Sequence, residues 1–565
     1  MEGILTYLTS RNTVLKDFIL KMSTGVVTIK IVTWMLLKSV NVLYIPLYIT
    51  RLFKKSKICP AIRDEILLLP ASELADKIRK QELTSEVVVK AYISRIEEVN
   101  PVINAVIEDR FKQAIEDAKY ADKLVSFGTL SVEELKEKHP LLGKNQFDTV
   151  LICIQHLQLV GVPLTVKGSI EVAQMKSTSG MVTRANITAK NDAVTVKYAR
   201  EAGAIPLLTS NIPELCMNWE TSNKLKGTTR NPHNTTRTCG GSSGGEASLL
   251  ASACSIIGIG SDIAGSLRLP AHFCGVWGHK PSPGAVSSIG HYPSCKSVEE
   301  WQASFTLGPM ARYASDLKLL LEVIMEPEMR STLLLKEPVN FKEVRVFYMK
   351  DIGSFLTSKV NSDCLDALHQ VVDHFNSICY NNCKEVNLSL IKYAPELAGL
   401  SLLDIDEVDN IFEGRGEGCY KELFKYMTGR SRSTLNVVLY GVLRRLSGYL
   451  PRSMIENAKG TMKELKNEIV KLLGTDGIFV IPTCPMEAVY HGDMVRKALD
   501  SSYLFIFNAL GLPVTNCPVA YTSKGLPIGV QVIGAPNCDR LTLAAAVEIE
   551  KAFGGWKPPS AANGG

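Results

Sequence analysis

The chain has 565 residues, 46% hydrophobic and 21% charged, which supplies a large core and excludes a disordered chain. Its net charge of +6 is small for this length, and no basic-aromatic cluster marks a nucleic-acid surface. Fourteen cysteines lie scattered without CxxC pairs or histidine partners at metal spacing, so buried thiols are expected rather than zinc or a disulfide framework.

Residues 24–53, TGVVTIKIVTWMLLKSVNVLYIPLYITRLF, are followed by Lys54-Lys55-Ser56-Lys57. A bilayer span takes about 20 mostly apolar residues, so the length suffices. Lys30 and Lys38 interrupt the run, and a central charge costs about 2.5–3.5 kcal/mol on insertion scales. Two arrangements fit: a span over 31–50 holding only Lys38, or an interfacial segment whose lysines snorkel. No small-residue cleavage site follows, so a removed signal peptide fits poorly. Residues 1–58 are therefore read as a membrane-anchoring segment of open orientation. No linker, charge block or low-complexity tract divides 60–560, so 59–565 reads as one large domain.

From Ala71 the pattern turns helical. Thr84-Ser85 caps a helix whose apolar residues Val88, Val89, Tyr92, Ile93 and Ile96 recur every three to four positions, ending at Asn100-Pro101. Residues 102–126 read as a second helix and 135–147 as a solvated connection. Val160, Val162, Leu164 and Val166 alternate as a strand does, delivering Lys167 at its end. Residues 192–203 follow as a helix and 204–209 as a buried strand. The alternation continues through 248–258, 344–349 and 477–482, and argues for an α/β domain with helices on both faces of one large mixed sheet.

Between these lies Cys239–Pro270, CGGSSGGEASLLASACSIIGIGSDIAGSLRLP, where two small-residue turns flank an apolar run and each presents a serine. Gly241-Ser242-Ser243-Gly244-Gly245 fits G-x-S-x-G, but the turn formers before it are no buried strand. A P-loop would need Gly-Lys-Ser/Thr, and Gly258-Ile259-Gly260 lacks the third glycine of a dinucleotide fingerprint.

The stretch resembles the amidase signature: G-G-S-S-G-G, then G-[ST]-D-x-[GA]-G-S-x-R-x-P. Gly161–Gly168 resembles the lysine strand of the same family. The resemblance runs from about Leu69 to about Gly555. Within the family, Gly278–Gly284 and Phe553-Gly554-Gly555-Trp556 are most similar to the fatty-acid amide hydrolases. The resemblance implies the same α/β architecture and a set of site residues. Lys167 is the base, Ser242 a bridging serine reached through a cis peptide after Gly241, and Ser266 the nucleophile. The backbone N–H groups of Ile263, Ala264, Gly265 and Ser266 form an oxyanion hole, and Ala264 replaces the commoner glycine. Ser243 orients, Asp262 and Arg268 pair beside the loop, and Cys216 lines the pocket.

An amide is a poor electrophile, so its hydrolysis needs an activated nucleophile, an oxyanion site and a proton for the amine. The expected function is hydrolysis of long-chain fatty-acid amides at a membrane, through an acyl-enzyme, without metal, phosphate or nicotinamide cofactor. The expected partners are a lipid-like amide and a membrane, with a homodimer left open. An amidase of small or aryl amides and a non-catalytic membrane-associated binding protein are the alternatives. Residues 433–452, apolar with Arg444, Arg445 and Arg452, read either as a core helix with an exposed basic face or as a segment dipping into membrane.

Overall fold

The computed structural model describes residues 55–128, 157–295, 298–405 and 418–559. The apolar segment 24–53 and the connection 135–147 lie outside the described residues. Among the described residues, no helix is long and apolar enough to cross a membrane.

Thr84 caps the helix Ser85–Ile103, accepting from the Val87 N–H at 3.3 Å, and the expected stripe of Val88, Val89, Tyr92, Ile93 and Ile96 is buried. The helix ends later than Asn100-Pro101 suggests. Pro101 sits in the last turn, and Asn104 closes the helix in a left-handed conformation at φ 54. The Asn100 side chain serves as a hinge instead, accepting from the N–H groups of Ala105 at 2.8 Å and Val106 at 3.1 Å. That turn starts a strand, β1 (Val106–Asp109), where a helix had been expected from residue 102; the helix itself is Phe111–Gly128.

The chain then supplies β2 (Pro163–Lys167), β3 (Ile205–Ser210), a small ribbon of β4 (Ser222–Asn223) and β5 (Gly227–Thr228), and β6 (Ile257–Asp262). Next come β7 (Trp277–Lys280), β8 (Thr306–Ala311), β9 (Arg345–Tyr348) and β10 (Lys384–Glu385). The last three are β11 (Gly477–Pro482), β12 (Val514–Tyr521) and β13 (Pro527–Gly534). Eleven of these form one sheet in the order β1-β3-β2-β6-β8-β7-β12-β13-β11-β9-β10. It is mixed: β3, β2 and β6 run parallel, whereas β6, β8, β7, β12, β13 and β11 pair antiparallel in succession.

Side chains of successive strand residues point to opposite faces. Every residue of β2, β3, β6, β8, β11 and β13 is buried, so both faces of the sheet are covered. Helix Gly244–Ala251 packs on β6 and β2, helix Ser362–Ile378 on β13 and β11, and helix Asp539–Phe553 on β12 and β13. The cysteines of the described residues are free thiols, mostly buried.

One surface element departs from the first of its two readings, a core helix with an exposed basic face. The helix Leu435–Ser447 does not bury its apolar side and expose its arginines. Arg444 is 3% exposed, whereas Leu443 is 54% and Tyr449 74% exposed. Leu435, Leu439 and Leu446 are exposed too, as are Tyr420, Phe424 and Met427 around the preceding helix Cys419–Met427. The helix face packed on the protein is narrow, formed by Val437, Val438, Gly441 and Arg444.

Candidate active site

Three parallel strands, β3, β2 and β6, release their chains at the same edge of the sheet, the carboxyl edge where open α/β sheets build sites. From β2 comes Lys167, from β6 the run Ser261 to Ser266, and from β3 the loop that leads to Cys216.

Lys167 is fully buried. Its Nζ lies 2.7 Å from Ser242 Oγ, 2.8 Å from Ser261 Oγ and 3.3 Å from the Ser261 carbonyl. Burial drives its pKa down by penalising the ammonium, while Cys216, Asp262 and Glu246 act in the opposite direction. Cys216, at φ 59 in a tight turn, is thus brought beside the lysine. Glu246 lies behind β2, where its carboxylate accepts from Thr165 Oγ1 at 2.5 Å, and burial raises its pKa to about 7. Gly258 makes that possible: a Cβ there would come within 2.0 Å of Glu246 Oε2.

Ser242 follows a cis peptide bond after Gly241 and is 1% exposed. Ser243 ties the two serine turns together. Its N–H donates to the Ser266 carbonyl at 3.1 Å, and its hydroxyl donates to the Ser261 carbonyl at 3.3 Å. Ser266 is itself 4% exposed.

The loop after β6 is organised by Asp262. Its carboxylate accepts from Gly265 N at 2.7 Å and Leu267 N at 3.0 Å, and pairs with Arg268 at 3.1 Å, with both side chains fully buried. Burial alone would raise the Asp262 pKa; the Arg268 guanidinium and the Leu267 and Asn508 hydrogen bonds outweigh it and hold it at about 2. This revises one expectation. The Gly265 N–H is directed at Asp262, so it leaves the expected oxyanion donors, which reduce to Ile263, Ala264 and Ser266. Gly265 acts through conformation instead, at φ 93, where a Cβ would meet Leu504 Cβ at 2.6 Å. Ala264 has no positive φ, so its replacement of glycine carries no strain.

Several contributors had no role assigned from sequence. Arg268 also donates to Asn508 Oδ1 at 2.5 Å, Gln531 Oε1 at 3.1 Å and the Leu504 carbonyl at 3.0 Å, anchoring the loop to the C-terminal third of the chain. Trp219 Nε1 donates to the Ala264 carbonyl at 2.8 Å, and Ser261 is a second hydroxyl on the lysine. Ser261 stood within the quoted turn; Trp219, Asn508 and Gln531 carried no local signal.

Residues 153–543 match the amidase family, well over half of the chain. This chain belongs to the amidase family. It is 38% identical to fatty-acid amide hydrolase 2-A of Danio rerio over 510 residues, covering 88% of this chain and 91% of that protein. It is 37% identical to fatty-acid amide hydrolase 2 of Homo sapiens over 514 residues, covering 89% and 92%. Among solved structures, a fatty acid amide hydrolase superposes with a TM-score of 0.67 at 20% identity, covering 88% of this chain and 87% of that one. At that identity the likeness speaks for the fold alone. The protein is accordingly an amidase, similar over most of its length to fatty-acid amide hydrolases.

Proposed function

We propose that this amidase is a membrane-associated serine hydrolase that cleaves long-chain fatty-acid amides to a fatty acid and an amine. The observation that carries the reading is the buried contact between Lys167 Nζ and Ser242 Oγ, set beside the Ser266 turn. The names of the relatives that match most of the chain support the substrate class.

In this reading Ser266 Oγ attacks the amide carbonyl carbon. Its proton passes to Ser242, whose own proton passes to Lys167 Nζ. The lysine accepts it because burial favours its neutral form. The tetrahedral oxyanion is received by the N–H groups of Ile263, Ala264 and Ser266, each such donor contributing roughly 3–4 kcal/mol. The C–N bond then breaks, and the departing nitrogen takes a proton back through Ser242. A water molecule, deprotonated by the same relay, hydrolyses the acyl-enzyme and regenerates Ser266. Histidine is not needed as the base.

Membrane association is proposed on two features. Residues 31–50 are long and apolar enough to span or lie in a bilayer. The apolar surface of Leu435, Leu439, Leu443, Leu446 and Tyr449 is an exposed patch flanked by exposed Arg430, Arg432 and Arg452, the pairing that suits a lipid interface. The base of this helix is tied to the site. Thr434 N donates to Glu214 Oε2 at 2.6 Å, two residues before Cys216. A lipid entering from the patch would arrive at the loop facing Lys167.

The test is substrate selectivity. Purified protein in detergent should release fatty acid from a long-chain amide with a higher kcat/KM than from a short aryl amide. Cleavage of the aryl amide alone would leave an amidase and remove the lipid reading.

A further inference from the structure

The lysine has a second set of partners that the relay does not use. Ser261 Oγ, 2.8 Å from Lys167 Nζ, also lies 3.2 Å from His291 Nε2. His291 Nδ1 is in turn 2.9 Å from the Pro293 carbonyl. The imidazole is held rigidly. It is 6% exposed, its backbone bridges to Ile170, and its ring packs on Phe305 at 4.7 Å, which stacks on Trp301 at 4.6 Å.

The direction of every hydrogen bond in this chain follows from its far end. A carbonyl oxygen only accepts, so His291 Nδ1 carries the proton donated to Pro293. Burial, followed by the charge of Lys167, lowers the His291 pKa to about 3 and keeps the ring neutral. Nε2 is then bare and accepts the Ser261 hydroxyl proton. With its proton turned away, Ser261 Oγ presents a lone pair to the lysine.

A neutral amine has two N–H donors and one lone pair. Ser261 Oγ and the Ser261 carbonyl take the two donors. Of the three oxygen partners, Ser242 is then the one left facing the lone pair, the arrangement a base needs to take the Ser242 proton. Without an acceptor at position 291, the Ser261 hydroxyl would turn toward the amine and compete with Ser242. We propose that His291 is a positioning residue: through Ser261 it aims the Lys167 lone pair at Ser242. The inference rests on the proposed Ser266–Ser242–Lys167 reading and deepens it.

The ionisable groups facing Lys167 are Cys216 from the turn after β3, Asp262 from β6, Glu246 from helix Gly244–Ala251 and His291 itself. A substitution at 291 changes only the last, so the difference between two pH profiles isolates it.

The experiment compares wild type, His291→Phe, His291→Gln, Ser261→Ala and the double variant Ser261→Ala/His291→Phe. The readouts are kcat, KM, the pH profile of kcat/KM and the rate at which a fluorophosphonate probe labels Ser266. Phenylalanine fills the space and removes the acceptor, so kcat and labelling should fall at least about tenfold with KM within about twofold. A Ser261 proton donated to the lysine lone pair favours the neutral amine, so the acid limb should also move to lower pH. A merely structural role would not move that limb. Glutamine supplies an oxygen toward Ser261 and an N–H toward Pro293, and should restore kcat to within about threefold. The double variant should be no worse than the poorer single one, because both remove the same interaction.

Wild-type kcat and an unmoved acid limb in His291→Phe would overturn the inference, as would single losses that multiply in the double variant. If His291→Phe does not fold, His291→Leu, which also removes the acceptor, carries the same predicted loss of kcat and the same shift of the acid limb. Wild type and Ser266→Ala both failing to react with the probe would instead sink the Ser266 reading, and this inference with it.

Discussion

Lys167 Nζ and Ser242 Oγ are 2.7 Å apart, and neither residue is more than 1% exposed. A lysine in that position has lost most of its hydration, and only a neutral amine can take a proton from the serine. Activity should therefore rise with pH through the depressed lysine pKa. The stability sign is also set. Between the lowered and the ordinary lysine pKa the unfolded chain binds more protons than the folded one, so stability should rise with pH across that window. Lys167→Met should lower kcat by about 10²–10⁴-fold, flatten that stability trend and melt at or above the wild-type temperature at neutral pH. Glu246→Gln, read in parallel, separates the carboxyl that titrates near 7. A Lys167→Met enzyme with the wild-type pH profile would contradict the assignment.

The buried Asp262–Arg268 pair makes a different prediction. Removing one partner leaves an uncompensated buried charge, which costs about 3–5 kcal/mol. Arg268→Met should lose that much in urea unfolding at neutral pH, and kcat should fall as the loop loosens. The Asp262 carboxyl is held at about 2, below its ordinary value of 3.8. Its stabilisation is full above the ordinary pKa and is lost as pH falls through the folded one. Melting temperatures across that acid range should drop more steeply for wild type than for Asp262→Asn. Equal slopes would refute the pairing.

Gly265 tests the loop geometry. Gly265→Ala places a Cβ at φ 93 against Leu504, so strain of about 1–3 kcal/mol is expected, with a fall in kcat larger than the change in KM. Chemical unfolding and steady-state kinetics on one preparation measure both. Unchanged stability would mean that the loop relaxes without cost.

The exposed leucines test the lipid interface. Leu439→Glu with Leu443→Glu should raise KM for a long-chain amide presented in phosphatidylcholine vesicles roughly tenfold, the scale expected from lost apolar contact. Hydrolysis of a short soluble amide should stay the same. An equal loss on both substrates would point to damage within the fold rather than at a membrane surface.

Much of the site was legible because it is local. Lys167 ends a strand whose alternation shows it, and Ser242, Ser266, Asp262 and Arg268 fall within one run of residues. What escaped depends on the return of distant chain. Asn508, Gln531 and Trp219 reach the Asp262–Ser266 loop only after folding, and their own surroundings read as ordinary core. The use of the Gly265 N–H by Asp262 was hidden for a related reason: spacing shows which N–H groups are near, not where each points. In the fold, β8 was missed because Gly308-Pro309 sits inside it, and a proline normally argues against an interior strand. β3 and β12 also contain prolines, Pro206 and Pro518, and their registers shift beside them. For the helix Leu435–Ser447, the reading as a core helix with an exposed basic face fails because it equates charge with exposure. Arg444 is buried, and the leucines face out.

The most direct test is fatty-acid release from a long-chain amide by wild type and Ser266→Ala, measured in detergent on protein of equal melting temperature. The substitution removes a single hydroxyl, so the fold should persist. The account predicts release by the wild type and none above background from the variant. Equal release from both would remove Ser266 as nucleophile and with it the relay built on Ser242 and Lys167.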